Sequence, residues 1–308
     1  MDLDKIFTPK SVAVIGVSEN PNKIGSVIFR TLTKLFKGES YQVNKNHDFL
    51  YGKVCYPSIT DLVKETKHKP ELVVIAVPVN EALKVLEESG KLGIKNCIMV
   101  TAGFKEIGNN SAENKLQQII KKRKINMIGP NCLGVLNTSN NLDTLFLPPE
   151  RLQRPKKGNI SFISQSGAVG SAVVDLAASQ NLGFSKFVSY GNAANIDESD
   201  LLEFLEKDDD THVICMYLEG VHNGERFFEV AKRVAKKKPV IAIKGGLSDG
   251  GKKATLSHTG SLAGNASVYE GIFKQTGILE AHSLEEVFDY AKIFSFIKNN
   301  THGRNVQI

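Results

Sequence analysis

Residues 244–265 form a glycine-rich run holding Gly245, Gly246, Gly250, Gly251, Gly260 and Gly264, and within it lies Leu256-Ser257-His258-Thr259-Gly260-Ser261. A histidine among small hydroxyl residues, on backbone with the freedom glycine confers, suits a nucleophile that collects a group in one place and delivers it in another. The other six histidines (His47, His68, His212, His222, His282 and His302) read as solvated surface groups. A nucleophilic imidazole must be neutral, with a carboxylate accepting from its second ring nitrogen to fix the tautomer and stabilise the charge that develops. Glu219, just past the apolar run 212–217, is the candidate orienter. Ser164-Gln165-Ser166-Gly167 follows another apolar run and opens a helical pattern, so its N–H groups and hydroxyls could cradle phosphoryl oxygens. A small-residue loop, Ser189-Tyr190-Gly191-Asn192-Ala193-Ala194-Asn195, completes the set. These features read as a phosphohistidine constellation.

The first half offers a separate anion site. The run 11–17 leads into Gly16-Val17-Ser18-Glu19-Asn20-Pro21-Asn22-Lys23-Ile24-Gly25 and then a helix, which points backbone N–H groups and a positive dipole end at an anion. The spacing is not GxGxxG. A nicotinamide site also places an acid at the end of the second strand to take the ribose 2′-hydroxyl, whereas this chain has Asn44 and Lys45 there. A cation at that position suits a nucleotide bearing a ribose phosphate, either NADP or coenzyme A. Loops at residues 77–79, 101–104 (with Thr101 and Gly103) and 129–134 (with Asn131) converge on the same crevice, although each alone reads as a turn.

These groups need a scaffold, and the apolar pattern specifies one. Runs 11–17, 71–77, 96–100 and 126–128 are continuously apolar rather than alternating, and helical patterns such as 81–89 and 111–124 separate them. Strands buried on both faces belong to a parallel sheet covered by helices, with right-handed crossovers. Residues 146–158, with three prolines and several basic residues, read as an exposed linker. Alternation then restarts, with strands at 159–164, 186–189, 212–217 and 239–244 and helices at 168–180 and 226–236. The expectation is two open α/β domains in tandem: a Rossmann-like one over 1–150, then a flavodoxin-like or Rossmann-like one over 151–300, with 301–308 beginning a third.

Composition excludes several classes. Apolar residues make up 41% and charged ones 23%, as in a soluble globular protein. The net charge of +6 suits anionic ligands but forms no clustered stripe, and with 7% aromatics and no Trp the chain does not read as a nucleic-acid binder. There is no signal-peptide pattern and no apolar stretch long enough to span a membrane. Cys55, Cys97, Cys132 and Cys215 lack metal-ligand spacing, so no metal site is expected and reduced thiols in a cytoplasm are the plain reading.

Taken together, residues 3–17, Pro130-Asn131-Cys132, 164–167, 189–199 and above all Ser257-His258-Thr259-Gly260-Ser261-Leu262-Ala263-Gly264 resemble the ADP-forming acetyl-CoA synthetases of the NDP-forming acyl-CoA synthetase family, whose first two domains are similar to the succinyl-CoA synthetase α subunit. The resemblance implies a Rossmann-like CoA-binding domain followed by a flavodoxin-like ligase domain, with His258 as a transient phosphohistidine and Glu219 beside it. It implies coenzyme A held by the turn that carries Gly16, Ser18, Lys23 and Gly25, by Lys45, by Thr101 and Gly103, and by Asn131. It also implies phosphate on Ser164, Gln165, Ser166 and Gly167. ATP or ADP with Mg2+ would bind an ATP-grasp domain, supplied as a β-type subunit or a fused segment within an oligomer, and the other substrate would be a small carboxylic acid. Asn44-Lys45-Asn46 departs from the family's Asn-Pro-Lys, and His302-Gly303-Arg304-Asn305-Val306-Gln307-Ile308 resembles the first strand of a further domain. A regulatory CoA-binding module without phosphotransfer and an NADP-dependent oxidoreductase are the alternatives.

Overall fold

The computed structural model describes residues 3–246 and 266–296. The first half folds as α1 (Asp4–Phe7), β1 (Ser11–Ile15), α2 (Ile24–Leu35), β2 (Glu39–Val43), β3 (Phe49–Leu50), β4 (Lys53–Tyr56), α3 (Ile59–Thr66), β5 (Leu72–Ile75), α4 (Val79–Lys91), β6 (Asn96–Met99), α5 (Asn110–Arg123) and β7 (Asn126–Ile128). Its sheet runs β3-β4-β2-β1-β5-β6-β7, parallel apart from the β3–β4 hairpin. Setting β3 aside, this is the 3-2-1-4-5-6 order of a dinucleotide-type fold, and its topological switch point lies between β1 and β5. All four residues of β5 and of β6 are buried, as continuous apolarity requires of a sheet covered on both faces.

The chain continues as β8 (Gly134–Asn137), β9 (Leu142–Asp143), β10 (Lys157–Ser164), α6 (Gly167–Ser179), β11 (Phe184–Ser189), α7 (Glu198–Lys207), β12 (Val213–Leu218), α8 (Gly224–Ala235), β13 (Val240–Lys244), α9 (Ala266–Thr276), β14 (Leu279–Ala281) and α10 (Leu284–Phe296). The second sheet is ordered β14-β13-β12-β10-β11-β8-β9. Its parallel part follows the flavodoxin order 2-1-3-4-5, with the switch point between β10 and β12, and β8 and β9 extend it antiparallel. Helix α8 buries Phe227, Val230, Ala231 and Val234 at 3.6-residue spacing, and Asp197 with Asp200 forms a capping box at the start of α7.

The two halves pack closely. Phe7 of α1 stacks on Phe204 of α7 with ring centroids 4.4 Å apart, and the Phe7 carbonyl accepts from the amides of Asn137 (2.9 Å) and Asn140 (3.0 Å). Residues 146–158 are less exposed than their prolines suggest. Leu152 is buried, and Arg154 is drawn inward to the buried Asp143 at 2.7 Å because a buried carboxylate needs a partner.

Candidate functional site

Each switch point leaves loops at the carboxyl ends of its strands, and the register levels those ends. Ile15 pairs with both Val43 and Ile75, and Ser164 with both Ser189 and Tyr217. The two sets of loops face each other across a cleft of about 780 Å³. Ala76, Val77, Pro78, Thr101 and Lys105 line it from the first sheet, and Gln165, Ser166, Gly167 and Glu219 from the second, with Asn131 and Asn192 between.

On the first wall, β1 stops at Ile15 because Gly16 turns the chain at φ +95°, where a Cβ would lie 2.5 Å from the Ala76 carbonyl oxygen. Gly25 brings α2 so close beneath that turn that a Cβ would lie 2.4 Å from the Gly16 carbonyl oxygen. The Ser18 N–H donates to the Ser26 hydroxyl (3.0 Å), which donates back to the Ser18 carbonyl (2.8 Å), so the turn is tied to its own helix. Lys23 is the exposed N-cap of α2 and Pro78 the N-cap of α4; neither helix start has a side-chain cap, which leaves its first-turn N–H groups to an anion. Thr101 lines the cleft with its hydroxyl donating to the Val77 carbonyl (2.8 Å). Asn131 stands at φ +57°, its N–H on the Thr101 carbonyl at 2.9 Å.

Of the residues the resemblance assigns to CoA, Thr101 and Asn131 lie in the cleft, whereas Gly16 and Gly25 form the turn behind its edge at Ile24. Ser18, Lys23, Gly103 and Lys45 lie outside the lining. Lys45 is exposed, and after Lys84 its charge helps hold the Glu81 carboxyl below the usual range. Its neighbour Asn44 turns inward and donates to the Val17 carbonyl at 2.6 Å. Uncapped helix starts and glycine-shaped loops fit a ligand carrying phosphates.

The second wall is built around Gln165. Its N–H donates to the Tyr217 carbonyl (3.1 Å), and its side-chain oxygen accepts from the N–H groups of Glu219 (2.7 Å) and Gly220 (2.9 Å), locking the phosphate turn to the end of β12. Ser164 is buried with its hydroxyl on the Ser166 carbonyl (2.6 Å), and Ser166 caps α6 by accepting from Val169 N–H (3.3 Å). Gly167 opens α6, and the nearest atoms to a Cβ there belong to Leu133 at 3.9 Å. Glu219 is 8% exposed; burial pushes the Lys244 ammonium down while the Glu219 charge opposes that shift. Burial also raises the phenols of Tyr190 and Tyr217, and Glu219 adds to both. His258 lies outside the described residues.

Three features lacked a local signal in the sequence. The Glu106 carboxylate accepts from the N–H groups of Gly103 and Phe104 and, from the second half of the chain, from the Asn192 amide at 2.6 Å. Lys244 is buried, its ammonium donating to the Gly245 carbonyl (2.5 Å) and sitting 4.9 Å from the Tyr269 ring centroid. His222 lines the cleft on the buried Glu198, and its place three residues beyond Glu219 was the one available hint.

Comparison with known proteins agrees with the two α/β folds. Residues 10–138 match the model of a CoA binding domain, and residues 157–294 that of a succinyl-CoA ligase like flavodoxin domain. The chain is 47% identical over 294 residues to the ADP-forming acetate–CoA ligase of Methanocaldococcus jannaschii, covering 96% of this chain and 40% of that protein. It is 42% identical to the α subunit of ADP-forming acetate–CoA ligase II of Pyrococcus furiosus, covering 95% of this chain and 63% of that one. Among solved structures, the dinucleotide-forming acetyl-coenzyme A synthetase 1 of Ca. Korarchaeum cryptofilum in complex with phosphate and ADP superposes with a TM-score of 0.88 at 42% identity, covering 96% of this chain and 62% of that one. The chain therefore spans less than two thirds of each relative. With both domain models matched in this order, the chain belongs to the family of ADP-forming acetyl-CoA synthetases.

Proposed function

We propose that this chain is the CoA-binding and phosphohistidine-carrying part of an acyl-CoA synthetase that interconverts acyl-CoA, ADP and phosphate with the free acid, CoA and ATP. A phosphate oxygen attacks the thioester carbonyl, the C–S bond breaks, and CoA leaves as a thiol, giving an acyl phosphate. A ring nitrogen of His258 then attacks phosphorus, the P–O bond to the acyl group breaks, and the carboxylate departs. Glu219 accepts from the other ring nitrogen, and the start of α6 with Gln165 holds the phosphoryl oxygens. The phosphoryl group passes finally to ADP, bound with Mg2+ in an ATP-grasp partner, and every step is reversible.

The observation that carries this reading is the meeting of two switch points over one cleft, with uncapped helix starts on one wall and Gln165, Gly167 and Glu219 on the other. The match to a CoA binding domain favours CoA over NADP. Four free, buried cysteines accord with a reducing cytoplasm, and among the described residues no helix is long and apolar enough to cross a membrane. To test the reading, the enzyme completed with its ATP-grasp part is incubated with γ-labelled ATP and Mg2+. An acid-labile, base-stable label is expected, and His258→Ala should abolish it; a variant that keeps the label refutes the assignment.

A further inference from the structure

Segment 219–222 is fixed at both ends. Gln165 holds the N–H groups of Glu219 and Gly220 at 2.7 and 2.9 Å, and Glu198 holds both the His222 N–H (2.8 Å) and the ring Nδ1 (3.3 Å). The Glu198 side chain is 0% exposed and that of His222 34%. One fully buried carboxylate thus gives each of its oxygens to a single, partly exposed histidine. Glu198 also sits in the first turn of α7, where the helix dipole favours negative charge. A carboxylate only accepts, so Nδ1 carries the proton, and the bond at Nδ1 fixes what Nε2 can do. The ring lines the cleft that Gln165, Gly167 and Glu219 also line. Structural anchoring of the loop needs only the backbone bond, so the ring contact is left for another role.

We infer that His222 binds an anionic oxygen of the acid or of inorganic phosphate in this cleft, with Glu198 as its positioning residue. The inference rests on the function proposed above and adds a substrate contact to it. An anionic oxygen offers only lone pairs, so the contact proposed is an Nε2–H donating to the ligand while Nδ1 stays on Glu198.

The test uses the enzyme completed with its ATP-grasp part. His222→Asn retains a donor where Nδ1 stood and removes Nε2. It is expected to raise KM about tenfold, as for one lost hydrogen bond to a charged group, with kcat and the KM for CoA changing by less than about threefold. Measuring KM separately for the acid and for inorganic phosphate identifies which oxygen is bound. His222→Gln, which places a donor near Nε2, should recover most of the loss. Glu198→Gln should raise the same KM by a smaller factor. Labelling of His258 from ATP should stay at the wild-type level throughout. If His222→Asn folds poorly, His222→Phe serves in its place with the same expected rise. Unchanged KM for both acid and phosphate in a folded, labelled variant overturns the inference alone; an unlabelled wild-type enzyme overturns the underlying function as well.

Discussion

Glu106→Gln probes how the two walls are held together. The native carboxylate meets three donors: the N–H groups of Gly103 and Phe104 on one side and the Asn192 amide at 2.6 Å on the other. A glutamine has only one accepting atom. Turned toward Gly103 and Phe104, it sets its own NH2 against the NH2 of Asn192; turned the other way, it sets that NH2 against the backbone donors. Either orientation loses a bond to a charged group and leaves donors facing one another, a cost of roughly 1.5–3 kcal/mol. Denaturant unfolding of wild type, Glu106→Gln, Asn192→Ala and the double variant should give a coupling energy of about 1–2 kcal/mol. Because Thr101 of the affected loop lines the cleft, CoA affinity measured by calorimetry should fall roughly tenfold. Acid should narrow the difference. Burial pushes the Glu106 carboxyl up, but the hydrogen bonds from Gly103, Asn192 and Phe104 outweigh it and hold it below the usual range. The group therefore stabilises the fold fully above its unfolded value of about 4.3 and loses that contribution as pH falls through its lower folded value. A destabilisation under about 0.5 kcal/mol with no coupling would refute the reasoning.

Gly25→Ala places a Cβ 2.4 Å from the Gly16 carbonyl oxygen, about 1 Å inside the ordinary contact distance of 3.4 Å, with backbone as the obstacle. Overpacking of this kind costs about 1–3 kcal/mol, so a thermal melt should show a loss of several degrees together with weaker CoA binding; loss of binding at an unchanged melting temperature would show that the glycine serves the ligand directly. All four thiols are buried, and burial pushes that of Cys132 up to about 12 and those of Cys97 and Cys215 higher still. A thiol-reactive dye at neutral pH should label the native protein slowly and the unfolded protein at all four sites.

The central parallel strands of both sheets were legible because strands such as Leu72–Ile75 and Val213–Leu218 write their burial as unbroken apolar runs. The short outer strands β3, β4, β8, β9 and β14 carry no such run and were not. The glycine turn at Gly16 and the helix start at Gly167 were equally plain, since strand, turn and helix are local. Contacts set by distant neighbours were not legible. Asn44 marks the end of β2, but that its amide closes back on Val17 rather than facing a ligand depends on how β1 and β2 pair. Helix α7 was not legible either: it begins at Glu198, just past the small-residue loop 189–195, and its capping box involves only Asp197 and Asp200, short acids equally at home in turns. His222 looked like a surface residue because its buried partner, Glu198, stands 24 positions earlier.

The hand-over between the halves constrains how this protein can be divided. Strand β8 leaves the first sheet's last strand only six residues behind, yet pairs antiparallel with β11 from Gly134 to Asn137. A piece beginning at the linker would lack that neighbour, baring a six-residue strand, Phe184–Ser189, whose every side chain is buried in the intact chain. An edge whose N–H and C=O groups have lost their pairing strand recruits other strands, so such a piece would self-associate. Removing residues 134–143 would thus turn a closed border into an adhesive one.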